Sequence, residues 1–141
     1  MYGKWERCTL VGQFDHYGLK QFKYGDNQIG YELFVILKNC TDLVTNQKLK
    51  TIRFNFTKAF KDFGMIEPGK HPRLEIRCKH YVNEESNFGY AYPSSVVAYN
   101  NRAKFSDNKI ENVVMVMQAN HQAGLATLYD REFIEKQKGE K

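Results

Sequence analysis

The stretch KLKTIRFNFTKAFKDFGMIEPGKHPRLEIRCKHYV, Lys48 to Val82, reads as strand, short helix, turn and strand. Between Lys48 and Phe56, the apolar Ile52, Phe54 and Phe56 alternate with Thr51, Arg53 and Asn55, the period of a strand with one apolar face. Thr57 suits a helix N-cap, and Ala59, Phe60 and Phe63 supply the apolar side of a short amphipathic helix. Gly64 fits the position just past its end, and Glu67-Pro68-Gly69-Lys70 is a turn. From Pro72 the alternation returns. Leu74, Ile76, Cys78, His80 and Val82 point one way; Arg73, Glu75, Arg77, Lys79 and Tyr81 point the other. Two strands therefore turn apolar faces to a shared core and cationic faces outward, with a small helix between them.

Upstream, Cys8, Leu10, Gly12 and Phe14 alternate with Arg7, Thr9, Val11 and Gln13, which predicts a first strand over residues 5–14. Gly12 inside it marks a bulge or sharp bend. Asp15 to Gln28 reads as a polar loop carrying Tyr17, Lys20, Phe22, Lys23 and Tyr24. A second strand spans Ile29 to Lys38, with Tyr31, Leu33, Val35 and Leu37 on one face and Glu32, Phe34, Ile36 and Lys38 on the other. Both faces are fairly apolar, so the strand is central and periodicity does not choose its core face. Asn39 to Gln47 turns it into a hairpin with the strand that begins at Lys48.

Downstream, Asn83 to Gly89 is a polar turn and Ser94 to Asn100 a candidate short strand. The near-continuous apolar run of IENVVMVM, Ile110 to Met117, reads as a buried strand that completes the sheet, with residues 83–109 as an extended excursion. From Gln122, the spacing of Leu125, Leu128, Tyr129 and Ile134 predicts a short docked helix with a frayed, soluble end. This gives one domain over residues 1–120 and a C-terminal helix and tail over 121–141.

A chain of 141 residues is long enough to bury a core without covalent staples. No apolar run approaches the roughly 20 residues that span a bilayer, and MYGKWERCTLVG lacks the sections of a signal peptide. Cys8, Cys40 and Cys78 are odd in number and widely spaced, so free buried thiols in a cytoplasmic protein are expected rather than a disulfide framework or zinc site. His16, His71, His80 and His121 show no ligand spacing, no glycine-rich loop has a lysine-serine completion, and the acidic residues are dispersed. An enzyme is not expected, and no cofactor is implied.

The net charge is +5, and residues 48–80 alone carry nine Lys and Arg against three Asp and Glu. A solvated strand face is the ordinary fate of alternating charge. Here aromatics, 14% of the chain, are interleaved with the cations, and a single nucleic-acid strand offers phosphates and open base faces together. Lys50, Arg53, Arg73, Arg77 and Lys79 are the candidate phosphate contacts; Phe34, Tyr81, Tyr90 and Tyr92 are the candidate base platforms. Trp5, Tyr17, Phe22, Tyr24 and Phe88 lie beside them, whereas Phe54, Phe56, Phe60 and Phe63 are expected in the core.

The order LVGQF, hairpin, then FNFTKAFKDFGMIEPGKHPRLEIRCKHYVNE resembles the bacterial and phage single-stranded DNA-binding proteins over residues 5–83. The resemblance implies a mainly β, five-stranded OB-fold barrel with a short helix between strands 3 and 4 and a C-terminal helix. It implies binding of single-stranded DNA, with RNA as the alternative, with little sequence preference, in replication or recombination of a phage or plasmid. The chain departs from that family in ending GEK rather than in an acidic tail with a hydrophobic tip, which does not support recruitment of partner enzymes through such a tail. A second reading is an OB-like protein-interaction module, such as a phage structural or host-inhibitory protein. Oligomeric state stays open.

Overall fold

Strand β1, Lys4–Lys23, is long enough to serve two partners, and the computed structural model, which describes residues 4–82, 87–98 and 102–139, uses it that way. Its second half pairs antiparallel with β2 (Ile29–Asp42), and its first half pairs antiparallel with β4 (Arg73–Val82). Strand β3 (Lys48–Asn55) adds to β2, and β5 (Asn87–Val97) adds to β4, giving one antiparallel sheet of order β3-β2-β1-β4-β5. The edge strands β3 and β5 approach each other, but among the described residues no backbone ladder joins them. The sheet is curled and not closed by hydrogen bonds. Helices α1 (Lys58–Phe63), α2 (Lys109–Gln122) and α3 (Arg131–Gly139) complete the fold.

The bend in β1 has a local cause. The register slips twice: between Phe14 and His16 the extra residue, Asp15, lies on β1 and re-aims it, whereas opposite the step from Val11 to Gln13 the extra residue lies on β2, between Lys38 and Thr41. At Gly12 a β-carbon would sit 2.7 Å from the Cys40 sulfur, so only glycine lets β1 cross β2 this closely. The expected bend at Gly12 is found, but the strand does not stop at residue 14. Asp15 to Lys23 continues it, and only residues 24–28 turn. Tyr17, read as a loop aromatic, is 2% exposed: the bulge at Asp15 rotates it inward onto Phe14, with ring centroids 4.8 Å apart.

The inner face carries Leu10, Phe14, Tyr17, Val35, Leu37, Ile52, Phe54, Leu74 and Ile76, with Phe60 of α1 packed on Phe54. Tyr31, Leu33, Val35 and Leu37 are the core side of β2, the choice its sequence left open. Phe54 and Phe60 are buried as expected; Phe56 and Phe63 are half-buried against the same core.

The run Ile110 to Met117 is helix, not strand. Val113, Val116, Met117 and Asn120 lie at helical spacing and are buried, and Asn108 caps the helix by accepting the Glu111 N–H at 3.0 Å. An apolar run with four β-branched residues fits either state in isolation. The fifth strand is instead Asn87–Val97, so part of the supposed excursion is sheet. Ser94 to Val97 belongs to it; residues 83–86 and 99–101 lie outside the described residues. Residues 125–130 are not helical; the C-terminal helix starts at Arg131, and α2 runs past residue 120. No described helix is long and apolar enough to cross a membrane.

Tyr17 joins three parts of the fold. Its hydroxyl donates to the Gly64 carbonyl at 3.4 Å and accepts the Ile66 N–H at 3.0 Å, while its carbonyl accepts from Asn120 Nδ2 of α2 at 3.1 Å. Tyr17→Phe should therefore destabilise the protein by about 1–3 kcal/mol, because it strands buried backbone groups while preserving ring packing. Urea unfolding checks this.

Helix α3 docks through buried Ile134, the Phe133 ring at 5.0 Å from Tyr31, and Asp130. The Tyr31 hydroxyl and the Phe133 N–H both donate to the Asp130 carboxylate, and these bonds, Tyr31 first, hold its pKa below the usual 3.8. A depressed carboxylate contributes stability above 3.8 and loses it as pH falls through the folded value. Tyr31→Phe should cost about 1 kcal/mol at neutral pH, a deficit that shrinks below pH 4. Unfolding curves across the acid range check the sign.

Candidate nucleic-acid interface

Period-2 alternation on β4 sends Arg73, Arg77 and Lys79 to the outer face, where all three are exposed. The ladder with β1 places Gln13, Thr9 and Arg7 directly opposite them. Glu75 is the one carboxylate in this row, opposite Val11. Among the described residues none of Arg7, Arg73, Arg77 and Lys79 takes part in an ion pair, so the face carries cationic charge without internal neutralisation.

One end of this face is aromatic. Trp5 lies opposite Tyr81 in the ladder, with ring centroids 5.1 Å apart, edge to face. Tyr92 of β5 meets the same Trp5 ring at 5.0 Å, and Lys79 Nζ stands 5.8 Å from the Tyr92 centroid. Tyr92 reaches this position because β5 carries extra residues opposite the step from Arg77 to Lys79. In that bulge its φ is 53°, a left-handed conformation that a bulky side chain rarely adopts. The bulge turns the ring outward, 61% exposed, while Trp5 is 39% exposed. Three rings thus share one patch with Lys79, with Arg7 opposite Lys79 and Arg77 two residues before it on β4.

A second group lies on the outer side of β2 and β3. Phe34 is opposite Asn55 and Gly18, and the Arg53 guanidinium covers its ring at 4.5 Å from the centroid. Phe34 is consequently buried, with Arg53 as the exposed layer above it. A cleft of about 270 Å³ adjoins them, lined by Phe34, Asn55, Phe56, Lys109 and Asn112. Lys50 is exposed nearer the β2–β3 hairpin and has no ion-pair partner among the described residues.

The structure therefore brings together Arg77, Lys79, Tyr81 and Tyr92, sets Arg73 farther along the same strand, and holds Phe34 and Arg53 on β2 and β3, beside the other half of β1. Tyr90 belongs to neither group. Two residues from Tyr92, it points inward, 8% exposed. Its hydroxyl donates to Asp42 Oδ2 at 2.9 Å, and its ring stacks on His80 at 4.5 Å. Asp42 is fully buried, accepts the Val44 and Thr45 N–H groups, and lies 3.5 Å from His80 Nδ1. This cluster ties the β2–β3 turn to β4 and β5. His80 sits in the core as expected of its face, though its Nε2 has no hydrogen-bond partner among the described residues. Phe88 has no described side chain.

Trp5 and Arg7 were not among the candidate contacts, yet their signal was present. They continue the outer-face parity of Thr9 and Val11 back along β1, and the ladder to β4 alone shows what they face. Among the described residues no three His, Cys, Asp or Glu side chains gather to hold a metal ion. No family model matches this chain, and neither a curated protein nor a solved structure matches it.

The two tyrosines should separate cleanly on mutation. Tyr90→Phe removes a buried donor from Asp42 and should lower stability by about 1–3 kcal/mol. Tyr92→Leu, at an exposed position, should change it by no more than about 0.5 kcal/mol. Parallel urea titrations of the two variants check this contrast.

Proposed function

We propose that this chain binds single-stranded nucleic acid, DNA before RNA, with little sequence preference, through the outer face of β1, β4 and β5. The observation that carries the reading is the Trp5–Tyr81–Tyr92 cluster, with Trp5 and Tyr92 exposed and Tyr81 half-buried, set beside Arg7, Arg77 and Lys79, none of which takes part in an ion pair among the described residues. Bases stack on such rings whatever their identity, and phosphates pair with the cations, so affinity is high and sequence preference low. Arg53 over Phe34 provides a further platform on the other limb, with Lys50 beyond it. Tyr90, being internal, contributes to the scaffold rather than to contact.

The strand order β3-β2-β1-β4-β5, with a helix between β3 and β4 and the two edges drawn together, supports a partly open OB-type barrel as the scaffold. With the resemblance of residues 5–83, it favours a phage- or plasmid-encoded protein that coats strands exposed during replication or recombination in the host cytoplasm. The preference for DNA rests on that resemblance.

Trp5 is the only tryptophan in the chain, so its emission reports on this patch alone. Titration with oligo-dT should quench it, and affinity should fall steeply as salt rises. Arg77→Ala with Lys79→Ala should flatten the salt slope by about 1.4 units, at roughly 0.7 per phosphate contact on a single strand. Tyr92→Leu should weaken binding by about 1–3 kcal/mol. Oligo-rU and duplex, run beside oligo-dT, should bind more weakly. Undiminished emission and no salt-dependent affinity would reject the reading and leave a protein-contact surface as the alternative.

A further inference from the structure

The inner side of the same β1–β4 ladder carries a feature that nucleic-acid binding does not use. Cys8 and Cys78 are directly opposed in the register, both buried, and their sulfurs stand 3.4 Å apart. They are 70 residues apart in the chain, which is why their spacing suggested no pairing. We propose that Cys8 and Cys78 are an oxidisable dithiol that closes to a reversible disulfide across β1 and β4, with a low-molecular-weight disulfide as the oxidant.

The backbone already has the necessary spacing. Opposed residues of an antiparallel pair have Cα atoms about 4.5 or 5.5 Å apart, and either value falls within the roughly 4.4–6.8 Å that a disulfide spans. Bond formation then requires the two sulfurs to close from 3.4 Å to about 2.05 Å, with no change of strand register. The third cysteine is a built-in comparison. Cys40 is equally buried but packs on Gly12 and lies opposite Leu49, with no cysteine facing it.

The two thiols are also unequal. The hydrogen bond from Cys78 lowers the Cys8 pKa, against burial and the nearby Asp42 carboxylate, which act the other way. Burial alone pushes the Cys40 thiol up to about 11. Cys8 is thus the attacking sulfur. Its thiolate attacks one sulfur of R–S–S–R, forming a mixed disulfide and expelling RS⁻. Cys78 then loses its proton to the medium and attacks the Cys8 sulfur, expelling the second RS⁻. Two S–H bonds are lost and one S–S bond forms, and the oxidant is reduced to two RSH.

The bond would lie next to the Arg7–Lys79 pair and three residues from Trp5 and Tyr81, so it would lock the pairing that holds the outer patch in place. The proposal does not depend on what that patch binds. It is tested on the full chain incubated with oxidised glutathione, followed by alkylation and peptide mass mapping. The expected result is the loss of two hydrogens, a linked Cys8–Cys78 peptide, alkylated Cys40, a higher urea midpoint, and reversal by dithiothreitol. Cys40→Ala should behave as the parent; Cys8→Ser and Cys78→Ser should form no link. A bond to Cys40 would overturn the proposal. So would stable glutathione adducts without a link, or a folded chain that keeps all three thiols at glutathione concentrations that oxidise the urea-unfolded chain. A linked protein with a lowered urea midpoint would overturn it too, since native geometry would then oppose the bond.

Discussion

Everything in this structure hangs on the close crossing of β1 over β2 at Gly12, where the Cys40 sulfur occupies the place of a side chain. A straight strand of 20 residues would extend some 65 Å at about 3.3 Å per residue and bury neither end. A bulge at Asp15, a second in β2 opposite Gly12 and that glycine bend it, so that one limb pairs with β2 and the other with β4. The curl this imposes gathers Phe14, Tyr17, Leu37, Phe54 and Leu74 into a single core and brings β3 and β5 near each other. It also gives the outer surface two limbs, one bearing Arg53 and Phe34, the other Trp5, Arg7, Arg77, Lys79, Tyr81 and Tyr92.

Charge is distributed unevenly over that frame. Carboxylates are spent in local ties: Asp15 with His16 and Lys38, Asp62 with Lys58, Asp107 with Lys61, Asp130 with Tyr31. Asp42 is buried with His80 and Tyr90, away from the surface. Among the described residues the cations of β4 face water with Glu75 as the one acidic side chain in their row. Such a face is hydrated, and among the described residues no ion pair fills it. A polyanion laid on it releases counterions at no cost in broken internal pairs.

Tyr90 and Tyr92 show how finely a bulge partitions side chains. They are two residues apart, a spacing that in a regular strand puts both on one face. The left-handed turn at Tyr92 breaks the alternation, so Tyr90 becomes a buried donor to Asp42 and Tyr92 an exposed ring against Trp5. Identical side chains thus serve the core and the surface.

The sequence by itself determined whatever a local period can encode. The strand–helix–turn–strand unit of residues 48–82, the outward direction of Arg53, Arg73, Arg77 and Lys79, the hairpin and the break at Gly12 all follow from neighbours a few residues apart. Tertiary structure decided the rest. Ile110 to Met117 became a helix because Asn108 caps it and its Val113–Val116–Met117 stripe meets the sheet, where a β-branched run alone fits either state. Tyr17 went inside because the bulge at Asp15 reverses the parity of β1, and Tyr90 because the ladder sets it opposite inward-facing His80; both depend on the partner strand. Trp5 met Tyr81, and Cys8 met Cys78, only through the β1–β4 ladder. Contacts that join residues some 70 positions apart depend on strand pairing, and pairing is a property of two segments, written in neither one alone.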